Sequence, residues 1–130
     1  ELMCGASPDG FVTDITSGEV GNLEIKCLLS RNHLYKIIRD GVMPDDYFPQ
    51  VQMQLWISNR DWCDFVGYDP RVKNGLKLFT IRIQRDDFYI DNVLEPAVIR
   101  FLDECDRDQR KFYAIMYKRL KEAKEGQVVV

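Results

Sequence analysis

The sequence predicts an α/β fold with a central mixed β-sheet flanked by helices. Three observations predict it. Short apolar segments at Gly10–Thr13 and Leu23–Cys27 read as a first pair of strands, and Trp62–Tyr68 and Leu76–Gln84 as a second pair. Between the pairs lie two stretches with apolar residues at helical spacing, and a long charged helix follows. The resulting order, β-β-α-α-β-β-α, suits one sheet with helices packed on it.

The first two strands form a hairpin around a polar turn, Asp14–Gly21, that contains two glycines. Ser30 is a candidate N-cap, and the segment after it carries Leu34, Ile37 and Ile38 before Gly41 ends it. Met43–Asp46 is a loop. Tyr47–Ser58 is an amphipathic helix with Phe48, Val51, Gln52 and Leu55 on one stripe. Tyr47, Gln50 and Gln54 share another stripe at three- and four-residue spacing. Asp69-Pro70 turns the chain between the last two strands. The final helix runs from Asp91 to about Ala123, with Pro96 in its first turn and Gly126 after its end. Val98, Phe101, Leu102, Cys105, Phe112, Ile115, Met116 and Leu120 are expected to face the core, and Val128–Val130 to form a tail.

The chain has 130 residues, 45% of them hydrophobic, which suits one compact domain, 1–130. Its net charge of −3 excludes a global basic field, so any nucleic-acid site must be local or must be carboxylates masked by metal. Cys4, Cys27, Cys63 and Cys105 form no C-x-x-C pair, and His33 is the single histidine, which argues against structural zinc. The cysteines read as buried free thiols of an intracellular protein, with two disulfides as the alternative. No signal peptide is expected, and no apolar run has membrane-spanning length.

The residues that carry chemistry are Ser7-Pro8-Asp9-Gly10, Glu24-Ile25-Lys26 and Gln50. Side chains alternate along a strand, so Glu24 and Lys26 share one face. Leu23, Ile25 and Cys27 share the other, expected to be the core face. The hairpin brings Asp9 beside Glu24. Two carboxylates can hold one or two Mg²⁺ ions, which prefer oxygen ligands. Such ions polarise a phosphate and lower the pKa of water. A lysine beside them orients the attacking water or neutralises developing charge. The Ile25 carbonyl offers a further oxygen, and Gln50 is placed to position the water or Lys26. An E-x-K triplet alone is weak in so charged a chain: Glu122-Ala123-Lys124 is another and carries no role. The apolar strand, the Pro-Asp-Gly turn before it and the glutamine-bearing helix after it give the first triplet its weight.

Four ordered segments resemble the lambda exonuclease and YqaJ-type viral recombinase family, within the PD-(D/E)xK nuclease superfamily. They are Gly5–Gly10, Leu23–Cys27, Gln50-Val51-Gln52 and Tyr68–Lys73. The resemblance runs from Gly5 to about Asp103. It implies a PD-(D/E)xK nuclease-like core and a 5′-to-3′ exonuclease on double-stranded DNA that uses Mg²⁺, with Mn²⁺ as a substitute, and leaves 3′ single-stranded tails. It assigns metal binding to Asp9, Glu24 and the Ile25 carbonyl, assistance of the nucleophile to Lys26 and support to Gln50. It further implies a ring-shaped homotrimer on double-stranded DNA ends, a single-strand annealing protein as partner, and a phage or prophage product in the bacterial cytoplasm. The sequence departs from the family in a longer hairpin loop and in Leu28, where proline is frequent. The family's helical N-terminal part, which supplies another acid and 5′-phosphate contacts, is expected to be missing.

Other residues carry plainer readings beside functional ones. Tyr47, one turn before Gln50, is expected to line the cleft. Arg71 and Lys73 either touch the DNA backbone or stabilise the turn. His33 reads first as a surface or capping histidine, with a phosphate contact as the alternative. The basic residues from Arg107 to Lys124 alternate with acids and read as a solvated face. Trp56 and Trp62 read as core. Two rival functions remain at this stage. One is a PD-(D/E)xK endonuclease of nicking or restriction type, and the other a catalytically silent module that binds DNA ends.

Overall fold

The computed structural model describes residues 2–27, 31–72, 75 and 77–126, apart from the Leu34 side chain. Ser30, Leu28, Lys73, Leu76 and the expected tail Val128–Val130 lie outside the described residues. Strands β1 (Gly10–Thr13) and β2 (Val20–Cys27) are followed by helix α1 (Arg31–Tyr35). A π-helical turn, Lys36–Asp40, continues α1 to Gly41, whose φ of 64° closes it. A 3₁₀ turn at Asp45–Tyr47 leads into α2 (Phe48–Ser58), then β3 (Trp62–Tyr68) and β4 (Leu78–Gln84). A short helix α3 (Asp87–Tyr89) and a π-helical turn, Ile90–Leu94, precede the long α4 (Glu95–Lys124).

The four strands form one mixed sheet in the order β1-β2-β3-β4. β1 and β2 pair antiparallel, β2 and β3 parallel, and β3 and β4 antiparallel. A parallel pair needs a crossover, and α1 and α2 supply it. The expected element order and mixed sheet are both present. β2 begins three residues earlier than its apolar run, because Val20 to Asn22 pair with Thr13 to Phe11 across the turn.

The described residues fall into two compact units, Cys4–Leu94 and Leu2–Met3 with the helix from Glu95 onward. In the first unit, Ile37, Met43, Val51, Leu55, Cys63 and Phe65 make the core, ringed by Tyr47, Phe48, Phe79, Ile81 and Ile83. Val51 and Leu55 come from the predicted apolar stripe of α2, and Phe65 is wholly buried. Truncating such a residue to alanine costs about 3–5 kcal/mol. Trp62 is buried as expected, while Trp56 is only partly so. Of the cysteines, which are all free, Cys63 alone is buried, and Cys27 and Cys105 are exposed.

In the second unit α4 has none of its residues buried. The stripe expected to face the core is open at Phe101, Phe112, Ile115, Met116 and Leu120. An amphipathic pattern reports that a face is apolar, not that it is covered. No helix among the described residues is long and apolar enough to cross a membrane.

Candidate active site

Glu24 is the centre of the site. It lies on β2 opposite Phe65 of β3 and is 2% exposed. This reverses the expected orientation of β2. Glu24 and Lys26 share the face that α2 covers, while Ile25, 46% exposed, and Cys27 point away. The physical reason lies in α2, which carries amide donors as well as Val51 and Leu55. Gln50 Nε2 donates to Glu24 Oε1 at 2.7 Å, and Gln54 Nε2 donates to Oε2 at 2.7 Å. Lys26 Nζ lies 2.5 Å from Oε1. A buried carboxylate is tolerated when it is paired and hydrogen-bonded. Helical spacing puts Gln50 and Gln54 one turn apart on one stripe, so a single helix serves both oxygens.

Asp9 stands just before β1. Its Oδ2 accepts from the Ile25 amide at 2.7 Å. Extending the register Gly10↔Leu23 by two residues puts Pro8 opposite Ile25. Proline has no N–H to offer, so it cannot cap the Ile25 carbonyl. A residue's N–H and C=O leave a strand on the same edge. The carbonyl therefore faces the edge where Asp9 sits. Both carboxylates act on the buried Cys63: burial pushes its thiol up to about 12, and the charges of Glu24, Asp64 and Asp9 push the same way. Cys63 is held as a neutral thiol and is not a nucleophile.

Tyr47 lies beside Lys26. Its ring lies 5.5 Å below Lys26 Nζ and 5.3 Å from the Phe65 ring. His33 packs edge-on against Tyr47 and meets Asp46 at 3.0 Å, so its described contacts are structural. Arg71 pairs with Asp69 of its own turn. Its Nε and Nη2 meet the two Asp69 oxygens at 2.9 and 2.7 Å. This guanidinium holds the buried Asp69 carboxyl down at about 2.

Sequence reasoning placed Gln54 beside Gln50 but gave it no role. Its signal was the four-residue spacing. Gln54 is 3% exposed, and its Oε1 has no hydrogen-bond partner among the described residues. An unmade buried acceptor costs about 1–3 kcal/mol. The carboxylate can only accept, so it forces the amide to present its NH₂ and strands the carbonyl.

Two carboxylates and a backbone carbonyl make an all-oxygen donor set of the kind Mg²⁺ accepts, with water completing the shell. Among the described residues no group of three His, Cys, Asp or Glu side chains is placed to hold a metal ion.

The family model for the YqaJ-like viral recombinase domain matches residues 1–61. The uncharacterised protein ExoD of Escherichia coli (strain K12) is 34% identical over 61 residues, 45% of this chain and 69% of that protein. The crystal structure of an alkaline exonuclease, LHK-Exo from Laribacter hongkongensis, superposes with a TM-score of 0.63 at 32% identity. That match covers 91% of this chain and 62% of LHK-Exo. LHK-Exo in complex with dAMP gives a TM-score of 0.62 at 36% identity, over 82% of this chain and 52% of that one. The chain thus spans less than two thirds of either solved structure.

Proposed function

The chain belongs to the YqaJ-like viral recombinase family, and on that premise we propose that it is the catalytic core of a Mg²⁺-dependent exonuclease acting on the ends of double-stranded DNA. The observation that carries the reading is the buried Glu24 carboxylate, with Lys26 and Gln50 on one oxygen and Asp9 tied to the next residue of the strand. A purely structural ion pair has no need of two further amide donors on the same carboxylate.

In this reading Asp9, Glu24 and the Ile25 carbonyl hold Mg²⁺, with Mn²⁺ as a substitute. The bound ion supplies electrophilic activation of the phosphate and stabilises charge on the leaving oxygen. Lys26 orients the attacking water and neutralises charge developing on phosphorus. Gln50, donating to the oxygen that Lys26 also meets, fixes the lysine's position. The water oxygen bonds to phosphorus, the bond from phosphorus to the sugar oxygen breaks, and that oxygen takes up a proton. Digestion runs 5′ to 3′ and leaves a 3′ tail, and the complete protein acts as a homotrimeric ring with a single-strand annealing protein. A phage or prophage origin fits this role.

The test uses linear and covalently closed duplex in Mg²⁺ and in excess chelator. Linear DNA is degraded only with metal, and closed circles survive; cutting of circles would favour the endonuclease reading. Blocking the 5′ or the 3′ end separates the two polarities. Light scattering on the complete protein should give three times the subunit mass, and a monomer would count against the ring.

A further inference from the structure

The two glutamines of α2 hold Glu24 through different oxygens, and the two oxygens are held unequally. Oε1 accepts from both Gln50 Nε2 and Lys26 Nζ, at 2.7 and 2.5 Å. Oε2 accepts from Gln54 Nε2 at 2.7 Å. A carboxylate oxygen offers about two acceptor directions. Among the described hydrogen bonds Oε1 is therefore full, and Oε2 keeps one direction open. Loss of Gln50 leaves Oε1 anchored by Lys26, whereas loss of Gln54 releases Oε2.

The Gln54 amide also shows what sets its orientation. Its own carbonyl oxygen is buried and makes no hydrogen bond among the described residues. Glu24 alone dictates which way the amide faces. The fold accepts an orphaned acceptor in order to keep one donor on Oε2.

Resting on the metal-dependent reading above, we propose that Gln54 is a positioning residue that holds Glu24 Oε2 as the oxygen that takes the divalent cation. Gln50 and Lys26 occupy Oε1, the oxygen that does not. The two glutamines thus divide one carboxylate. Gln50 serves the lysine, and Gln54 serves the metal. Groups that orient a metal ligand typically govern affinity by ten- to hundredfold.

The experiment is calorimetric titration of Mn²⁺ into the whole chain without DNA. Gln54→Met should raise the Mn²⁺ Kd about tenfold or more, and cleavage of linear duplex should need correspondingly more Mn²⁺. Gln50→Met should move the Kd by less than about threefold, since Lys26 still anchors Oε1. A merely structural Gln54 would lower the melting temperature and leave the Kd in place, which overturns the proposal. Equal weakening in both variants overturns it too. Should Gln54→Met fail to fold, Gln54→Asn keeps a polar amide too short to reach Oε2. The same rise in Kd is expected there, and an unchanged Kd is fatal. Wild-type protein that takes up no Mn²⁺, or Glu24→Ala that binds it as tightly as wild type, brings down the metal-dependent reading itself. That result is distinguishable from failure of the division between the glutamines.

Discussion

Asp9 and Ile25, sixteen residues apart, are joined by one hydrogen bond in which the Asp9 carboxylate accepts from the Ile25 amide at 2.7 Å. The same side chain thus closes the mouth of the hairpin and carries a proposed metal ligand. The two duties separate by substitution. Asp9→Asn keeps an oxygen for the Ile25 amide and removes the charge. Cleavage of linear duplex should fall by roughly two orders of magnitude or more, with the melting temperature nearly unchanged. Asp9→Ala should lose activity equally and also about 1 kcal/mol of stability in denaturant titrations. Full activity in the asparagine variant would remove Asp9 from the chemistry.

Lys26 should matter to rate more than to folding. Its removal leaves Glu24 with both glutamine donors, so Lys26→Ala should retain a cooperative melt close to wild type. The cleavage rate should drop by roughly two or more decades, the scale of a lost electrostatic or general-base group. A variant that melts early but turns over normally would make the lysine a structural partner only.

Gly21 should resist substitution. A Cβ there would fall within the Trp62 ring. The ring cannot retreat easily, because it is 4% exposed and Arg82 stacks 3.7 Å from its centroid. Arg82 is in turn gripped by Asp14 and Asp64. Gly21→Ala should therefore destabilise by about 1–3 kcal/mol through overpacking. Thermal unfolding measures it, and a neutral result would mean that β1 and β2 adjust freely.

Acid should erode the turn after β3. Asp69 is held at about 2 by the Arg71 guanidinium, first through the side-chain hydrogen bond. An unfolded aspartate titrates near 3.9. The folded value is the lower one, so the contribution is complete above about pH 4 and is lost as pH falls towards 2. Asp69→Asn should flatten that part of the stability profile, as read from urea midpoints across the range. An unchanged acid limb in the variant would show that other carboxylates set it.

The sequence disclosed most of the fold and named Asp9, Glu24, Lys26 and Gln50, which the structure brings together. The limits of β3, Trp62–Tyr68, and the first strand, Gly10–Thr13, are those read from the pattern. α2 begins one residue after the expected Tyr47 and ends at the expected Ser58. These elements have sharp signals: an aromatic-rich strand, and a helix with Pro49 in its first turn and Asn59 in the left-handed region at its end. The facing of β2 was misread. Alternation in Leu23–Cys27 says only that two faces differ. Which face lies under α2 depends on Gln50 and Gln54, 26 and 30 residues away, whose donors make a buried carboxylate acceptable. The fate of the α4 stripe was equally beyond local pattern, because coverage belongs to the neighbour and not to the helix.

The parallel pairing of β2 with β3 bears on when the site comes into being during folding. A β3–β4 hairpin closes over a local turn, but Glu24 meets Gln54 only after the whole helical crossover has folded back. Closing that larger loop costs chain entropy before any contact repays it, and such non-local pairings set slow folding rates. In a refolding time course, secondary structure should therefore return before nuclease competence. The newly made chain should pass through an interval in which it has its strands but not yet the contact between Glu24 and Gln54.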